Sequence, residues 1–207
     1  MKLFVHARLF YVLMNTVCIL VVLALVVLPA QGDENSPIFS HGAGPYALII
    51  FSDYFCSPCQ KLEKEMSKII SAVIERGDVR VTFVNLPLYK LTPLYGTYFL
   101  YALNASSTYK DALNARQFLF ERASRLGAIT EKHLERDFKA EGIVIKHYDI
   151  KPALAEYGKL IQKYNVRSTP TFVFVYLPKD IRKYSGSEPI KKGMVELVKA
   201  MEMTRHK

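Results

Sequence analysis

The amino-acid sequence predicts an α/β fold, in which a small mixed β-sheet is flanked by helices. Two near-continuous apolar runs, Tyr46–Ser52 and Thr171–Leu177, have the pattern of strands that are buried on both faces. Segments with apolar residues at helical spacing surround both runs. The first run also begins a strand–helix–strand unit, which implies that its two strands are parallel.

The first half of the fold follows directly from these patterns. After the first apolar run, residues at helical spacing predict a helix that begins after Cys56 and ends at Gly77. Alternating apolar and polar residues over Val79–Asn85 predict the second strand. Residues 90–142 have helical patterns throughout, and we interpret this block as a helical insertion.

The second half returns to the sheet. A stripe of apolar residues predicts a helix over Lys151–Tyr164, and the strand Thr171–Leu177 comes next. A short turn separates that strand from Ile181–Tyr184, so that these two strands are expected to form a hairpin. The final helix is predicted to begin at Ser187, with a proline in its first turn.

The composition is that of a protein with a packed core. Of the 207 residues, 50% are hydrophobic, 12% are aromatic and 23% are charged, which excludes a disordered chain. The formal net charge is +9, but the Lys and Arg residues are scattered along helical patterns. We interpret this charge as a solvated basic surface suited to anionic lipid headgroups, and we expect no nucleic-acid partner.

Residues 1–30 are predicted to be a signal anchor or a signal peptide. The segment over residues 9–28 is almost wholly apolar, and a helix of that length spans about 30 Å, the thickness of the hydrocarbon core of a bilayer. Two basic residues precede the segment and two acidic residues follow it. The positive-inside rule therefore keeps the N-terminus in the cytoplasm and delivers the rest of the chain to the other side.

The remaining chain divides into a linker and one domain. Residues 31–44 are polar and rich in Gly, Pro and Ser, which predicts a linker. Residues 45–207 are predicted to form a single domain. The length of the apolar segment favours an anchor that is retained, while cleavage near residue 30 stays open as the alternative.

Two of the three cysteines form a Cys-X-X-Cys motif, Cys56-Ser57-Pro58-Cys59. The third, Cys18, lies in the apolar N-terminal segment, where a thiol behaves as a small hydrophobic group. At the start of a helix the two thiols of the motif are about one turn apart and can close a disulfide. The N–H groups and the dipole of the helix favour a thiolate on Cys56. Cys56 is therefore predicted to attack, and Cys59 to resolve the mixed disulfide.

Other uses of two cysteines fit the sequence less well. A zinc site normally has four ligands, and the sequence has no second Cys-X-X-Cys motif. Gln60 follows the motif, so that the attachment pattern for c-type haem is absent. An inert disulfide across so short a loop would add little stability. We predict no metal and no cofactor other than the cysteine pair itself, and we interpret three histidines as isolated surface residues, namely His41, His133 and His147.

Two segments, Phe51–Cys59 and Ser168–Val173, together with the helical block between them, resemble the thioredoxin superfamily. The resemblance is to its DsbA-like, exported thiol–disulfide oxidoreductases, and it covers about residues 45–205. It implies a thioredoxin-like fold with a helical insertion. It also implies that the bond before Pro170 is cis and that Thr169 offers backbone hydrogen bonds to an extended substrate peptide.

The sequence departs from the pattern of this family at two places. Many relatives have a buried acidic residue six positions before the first cysteine, where this chain has Ile50, so that the resemblance implies no proton relay from that position. We interpret Asp53 as an ordinary polar residue of the connecting turn. Between the cysteines, the usual order of proline followed by another residue is reversed to Ser57-Pro58. As a result, Pro58 offers no N–H to a thiolate, whereas Ser57 offers a hydroxyl. These two residues are expected to modulate the active site.

The resemblance and the predicted topology together imply an exported dithiol oxidase of the bacterial cell envelope, anchored by residues 9–28. Its expected substrates are unfolded or cysteine-containing exported proteins, with a membrane redox partner that reoxidises it, and we expect a monomer. Two alternatives remain open. One is a membrane-anchored reductase of exported proteins, and the other is a binding or chaperone module with a thioredoxin fold.

Overall fold

A five-stranded sheet in the order β1-β3-β2-β4-β5 forms the centre of the protein. The computed structural model describes residues 38–125, 129–177 and 180–205. Strand β2 pairs in parallel with β3 and antiparallel with β4, so that the predicted strand–helix–strand unit is confirmed. The strands are β1 Ser40–His41, β2 Tyr46–Ser52, β3 Val79–Asn85, β4 Thr171–Leu177 and β5 Asp180–Ser185.

Six helices of the described residues surround this sheet. Their bounds agree closely with the apolar periodicities, and the predicted helical block contains α2, α3 and α4. The capping box at Thr108 and Asp111 fixes the start of α3. The helices are α1 Ser57–Glu75, α2 Thr92–Ala105, α3 Tyr109–Ala123, α4 Glu131–Ala140, α5 Lys151–Lys163 and α6 Ser187–Arg205.

Strand β2 is buried on both faces, as its continuous apolar sequence predicts. Leu48, Ile50 and Phe51 have no exposed surface. Helix α1, which follows β2, packs against both α3 and α6. This buried strand matters for function because the C-terminal end of β2 leads directly into the Cys-X-X-Cys motif.

The hairpin predicted near the C-terminus is confirmed. Strands β4 and β5 pair antiparallel, with Thr171 opposite Ser185. Their hydroxyl groups are 2.8 Å apart. Because β4 also pairs with β2, placing Phe51 opposite Thr171, the residues just before β4 lie at the end of β2 where the cysteines begin.

Part of the segment predicted as a linker belongs to the sheet. Ser40 and His41 form β1, which pairs antiparallel with Thr82 and Val81 of β3. The Ser40 and Thr82 hydroxyl oxygens are 2.7 Å apart. Edge pairing of this kind depends on backbone groups rather than on an apolar pattern, which is why the composition of residues 31–44 did not predict it.

The predicted anchor or signal peptide, residues 1–30, lies outside the described residues, and so do residues 31–37. The prediction of a membrane segment there therefore stays a prediction. Among the residues that the structure does describe, no helix is both long enough and apolar enough to cross a bilayer.

Candidate active site

The Cys-X-X-Cys motif lies at the junction of β2 and α1, as predicted. Cys56 is the N-cap residue of α1 and has an extended backbone, and Ser57 is the first residue of the helix. Pro58 occupies the first turn, where the missing N–H is one that the helix leaves unpaired. Ser57 and Pro58 are exposed beside the two thiols, and their role as modulating residues stays a prediction.

Both cysteines are free thiols, and both are buried. Cys56 is 5% exposed and Cys59 is 3% exposed. Burial raises the pKa of Cys59 to about 12, and the neighbouring Cys56 thiol adds to this rise. The Asp53 backbone and the Thr169 hydroxyl, which has no hydrogen-bond partner among the described residues, act on this pKa in the opposite direction. Cys59 is thus strongly biased towards the protonated thiol in this dithiol form.

Thr169 and Pro170 pack against the cysteines. The Thr169–Pro170 peptide bond is cis, as the resemblance implies. The Sγ atom of Cys56 donates a hydrogen bond to the carbonyl oxygen of Thr169 at 3.4 Å, across 113 residues of sequence. The structure thus brings together all four residues that were predicted for catalysis and substrate binding.

Asp53 is fully buried, so its interpretation as an ordinary polar turn residue was wrong. Its carboxylate accepts hydrogen bonds from the backbone N–H of Phe55 at 2.8 Å and from that of Leu88 at 2.9 Å. It also accepts one from the Thr92 hydroxyl at 2.6 Å. Asp53 therefore fixes the turn before Cys56 to the loop after β3, and its backbone faces Cys59.

An apolar rim formed by Phe55, Leu88 and Tyr89 lies on this turn and on that loop. Leu88 is 50% exposed and Tyr89 is 49% exposed. The Phe55 ring lies 6.4 Å from the Tyr89 ring and 4.8 Å from the Tyr95 ring, measured between centroids. The rim exposes apolar surface next to the cysteines and is supported from below by buried aromatic residues.

Sequence reasoning missed a buried ion pair behind Cys59. Arg116 of α3 is 1% exposed, and its Nε and Nη2 atoms each donate to one carboxylate oxygen of Glu63 at 2.9 Å. The Nη2 atom also donates to the Ser52 hydroxyl at 3.1 Å. The guanidinium carbon lies 4.5 Å from the centre of the Phe83 ring, which screens the charge from water.

The ion pair and the resolving thiol share a small cavity of about 10 Å³. Cys59, Ser52, Glu63 and Arg116 supply its polar wall, and four further residues supply the apolar wall, namely Leu62, Met66, Pro170 and Phe172. The cavity thus joins the two active-site segments to α3 of the helical insertion.

Helical spacing contained a signal for both residues of the pair. Glu63 follows Cys59 by four residues and therefore lies on the same face of α1. On α3, Arg116 lies four residues after Ala112 and four before Phe120, both of which are buried. The buried residues of α3 thus define a face that includes Arg116, namely Ala112, Ala115, Arg116, Leu119 and Phe120.

His41, His133 and His147 are the histidines of the described residues. Within the described ranges, no group of three His, Cys, Asp or Glu side chains could hold a metal ion. His41, predicted at the surface, is half-buried, and its ring centroid lies 6.2 Å from that of Phe83. Burial lowers the pKa of His41.

A family model described as Thioredoxin matches residues 34–175. The chain belongs to the thioredoxin family. This match includes the Cys-X-X-Cys motif, the helical block and most of β4. A comparison with curated protein sequences found no match.

Several solved structures share the fold of this thioredoxin-family chain. The structure of α-DsbA1 from Wolbachia pipientis has a TM-score of 0.62 and 16% identity, over 86% of this chain and 98% of that chain. The catalytic domain of Proteus mirabilis ScsC has a TM-score of 0.61 and 18% identity, over 82% and 92%. Oxidised BdbD from Bacillus subtilis has a TM-score of 0.56 and 20% identity, over 79% and 94%. These likenesses show a thioredoxin-like fold with the helical insertion.

Proposed function

We propose that the protein is a thiol–disulfide oxidoreductase of the DsbA type, which oxidises dithiols of exported proteins through Cys56 and Cys59. One observation carries the proposal. Two free thiols lie at the start of a helix, and the first of them contacts the backbone of the Thr169–Pro170 segment. This arrangement provides a pair that can form a disulfide, a helix terminus that favours a thiolate, and a backbone edge for a peptide.

The proposed reaction starts from the oxidised pair. A substrate thiolate attacks the Sγ atom of Cys56, the bond between Cys56 and Cys59 breaks, and its electron pair leaves on Cys59. A second thiolate of the substrate then attacks the substrate sulfur of the mixed disulfide and displaces Cys56 as a thiolate. The substrate has lost two electrons and gained a disulfide, and the enzyme becomes a dithiol once both thiolates have taken up from water the two protons that the substrate thiols released. A disulfide or quinone oxidant in the membrane takes up those electrons.

Substrate binding is assigned to the Thr169 backbone and to the apolar rim of Phe55, Leu88 and Tyr89. An unfolded chain offers free backbone groups and exposed apolar side chains, and both match this surface. Folded proteins offer neither in quantity. The site therefore favours partly unfolded proteins that still have free thiols.

The proposed location follows from the apolar segment over residues 9–28, which would hold residues 45–207 at the outer face of the cytoplasmic membrane. A disulfide persists there, whereas the cytoplasm reduces it. Protease treatment of spheroplasts tests this topology, because an exported domain is digested while the membrane remains intact. Full protection of the domain would contradict it.

A thiol-trapping experiment tests the redox function. The full chain carries Cys18→Ser, so that only the active-site pair reacts with a maleimide of high mass. We expect two additions after treatment with dithiothreitol and none after oxidation by glutathione disulfide. Failure to form a disulfide across the accessible potentials would favour the binding or chaperone module.

Equilibration with glutathione decides the direction of the reaction. A reduction potential of about −120 mV is typical of an oxidase of this fold, and one of about −270 mV is typical of a reductase. We expect a value nearer to the oxidase. In the reductive alternative the same steps run backwards, with Cys56 attacking a substrate disulfide and Cys59 resolving the mixed disulfide.

Loss of the attacking thiol provides the matched control. Cys56→Ser should abolish oxidation of a dithiol peptide, whereas Ser124→Ala, at an exposed position after α3, keeps both thiols and should retain the activity. If Cys56→Ser retained full activity, the proposed role of the pair would be wrong.

A further inference from the structure

The buried Glu63–Arg116 pair has no part in the exchange steps proposed above, although it adjoins the thiol that leaves in the first step. The pair bridges α1 and α3, and both side chains are almost wholly enclosed. Arg116 also has one terminal nitrogen, Nη1, that is buried and has no hydrogen-bond partner among the described residues. A full positive charge is thus held inside the protein with part of its hydrogen-bonding capacity unused.

The cavity of about 10 Å³ places this charge next to Cys59. Such a cavity has room for about one water molecule, and its polar wall offers the several partners that a buried water needs. The apolar wall includes Pro170 and Phe172, which lower the polarity of the surroundings of this charge. Charges act more strongly on one another in such surroundings than at the surface.

The two charges of the pair oppose each other at Cys59. The two charges are held together by two hydrogen bonds of 2.9 Å. Their electrostatic effects on a third group beside them therefore largely cancel in the intact protein. Helix α6, which also packs against α1, directs Lys191 to the exposed Glu65. Among the described residues, the titratable and charged groups that face Cys59 are Cys56, Glu63 and Arg116, while Asp53 presents its backbone.

We propose that the Glu63–Arg116 pair controls the charge that Cys59 carries during disulfide exchange. Arg116 stabilises the Cys59 thiolate across the shared cavity, and Glu63 offsets that stabilisation. Both act through Cys59 as positioning residues and touch no substrate. This inference rests on the proposed function, because it assigns the pair a role in a step that only a working cysteine pair performs.

The same thiolate occurs in both directions of the reaction. When a substrate thiolate attacks Cys56, the S–S bond breaks, and its electron pair remains on the Sγ atom of Cys59 until that atom takes a proton from water. In the reverse step Cys59 first releases a proton to water and then attacks the mixed disulfide on Cys56. The rate of this resolving step therefore depends on the fraction of Cys59 that is ionised.

A chromogenic disulfide measures the resolving step directly. Reduced full-length protein carrying Cys18→Ser is mixed with an equimolar amount of dithiobis-nitrobenzoate in a stopped-flow instrument. The first release of thionitrobenzoate reports attack by Cys56, and the second reports resolution by Cys59. The rate of the second release is followed from pH 6 to pH 9.

The two charge variants are expected to change this rate in opposite directions. Glu63→Gln leaves the Arg116 charge uncompensated and should accelerate the second release by about threefold to tenfold at each pH. A decrease of one unit in the pKa of Cys59 raises its thiolate fraction about tenfold. The thiolate of lower pKa is a weaker nucleophile, which offsets part of this gain in rate. Arg116→Met should slow it by a similar factor. The double variant Glu63→Gln/Arg116→Met should return close to the wild-type rate.

The exposed Glu65→Gln on the same helix provides the matched control and should leave the rate unchanged. Equal slowing in both single variants would show a structural role alone and would overturn the proposal, as would rates equal to wild type. If Arg116→Met does not fold, the test is whether the second release is faster in Glu63→Gln than in the double variant. A wild-type protein that releases only one thionitrobenzoate, as Cys59→Ser should, would instead contradict the proposed function.

Discussion

The Sγ atom of Cys56 donates a hydrogen bond to the carbonyl oxygen of Thr169, and the Thr169 hydroxyl, which is buried without a hydrogen-bond partner among the described residues, acts to lower the pKa of Cys59. One residue thus acts on both sulfur atoms, although it lies 113 positions from the first. Its backbone oxygen accepts from the attacking cysteine, and its unpaired hydroxyl can donate to a thiolate on the resolving cysteine. This relationship separates the two proposed roles of Thr169, because a change of side chain leaves the backbone contact in place.

Thr169→Val is expected to slow resolution by Cys59 more than attack by Cys56. The valine has nearly the same shape but cannot donate a hydrogen bond to the Cys59 thiolate, and such a bond contributes roughly 1 kcal/mol, or about fivefold in rate. The two phases of thionitrobenzoate release measure both steps in one experiment. Equal slowing of the two phases would show that the hydroxyl has no selective effect on Cys59.

The stability of the reduced protein should fall as the pH rises above about 9. Burial raises the pKa of Cys59 to about 12, so that the folded protein keeps a proton that the unfolded chain has lost. The unfolded state then binds fewer protons, and the free energy of unfolding decreases by at most about 1.4 kcal/mol per pH unit between these two pKa values. Below the unfolded pKa this contribution is fully present.

Urea unfolding of the reduced protein between pH 7 and pH 10.5 measures this loss. Cys59→Ser provides the comparison, because a hydroxyl does not titrate in this range, and the other buried groups stay the same in both proteins. The same pH dependence in the two proteins would contradict the assignment to Cys59.

Asp53→Asn is expected to destabilise the fold by about 2 kcal/mol or more. The carboxylate accepts hydrogen bonds from two backbone N–H groups and from the Thr92 hydroxyl, whereas an amide has a single acceptor oxygen. Urea unfolding at pH 7 measures the change. Asp149→Asn is the control, since Asp149 is exposed and caps one N–H at the start of α5, and it should cost far less.

Leu88→Asn should weaken the reaction with unfolded substrates while leaving small thiols unaffected. Leu88 is half exposed on the apolar rim, and losing its contact with a substrate removes about 1 kcal/mol of binding, or roughly fivefold in kcat/KM. The oxidation rates of an unfolded dithiol protein and of glutathione provide the two measurements. Val144→Asn, at an exposed residue after α4, is the control. A parallel loss with glutathione would show damage to the cysteines rather than to the rim.

Local sequence patterns were sufficient to predict a strand or helix wherever a single pattern of side chains defines that element. The runs Tyr46–Ser52 and Thr171–Leu177 predicted β2 and β4 to the residue, because strands buried on both faces have few polar positions to obscure their ends. The start of α1 followed from the position of the motif and of Pro58. The short edge strand β1 was missed, because it is held by backbone pairing with β3 rather than by apolar residues.

Polar residues were predicted less well, because a charged side chain is assigned to solvent unless its partner is known. Asp53 is buried because its three donors come from the turn and from the loop after β3. Glu63 and Arg116 are buried because each supplies the opposite charge to the other across 53 residues of sequence.

The sequence by itself determined the strands, the helices and the location of two cysteines at a helix start, since these depend on neighbours within a few residues. Only the tertiary structure decided what surrounds those cysteines. The Thr169–Pro170 segment comes from β4 and the ion pair depends on α3, and each contact exists because sheet pairing and helix packing bring distant segments to one end of the sheet. The periodicity of apolar residues indicates which face of a helix or strand is buried, but it does not indicate which buried charge lies beside which thiol.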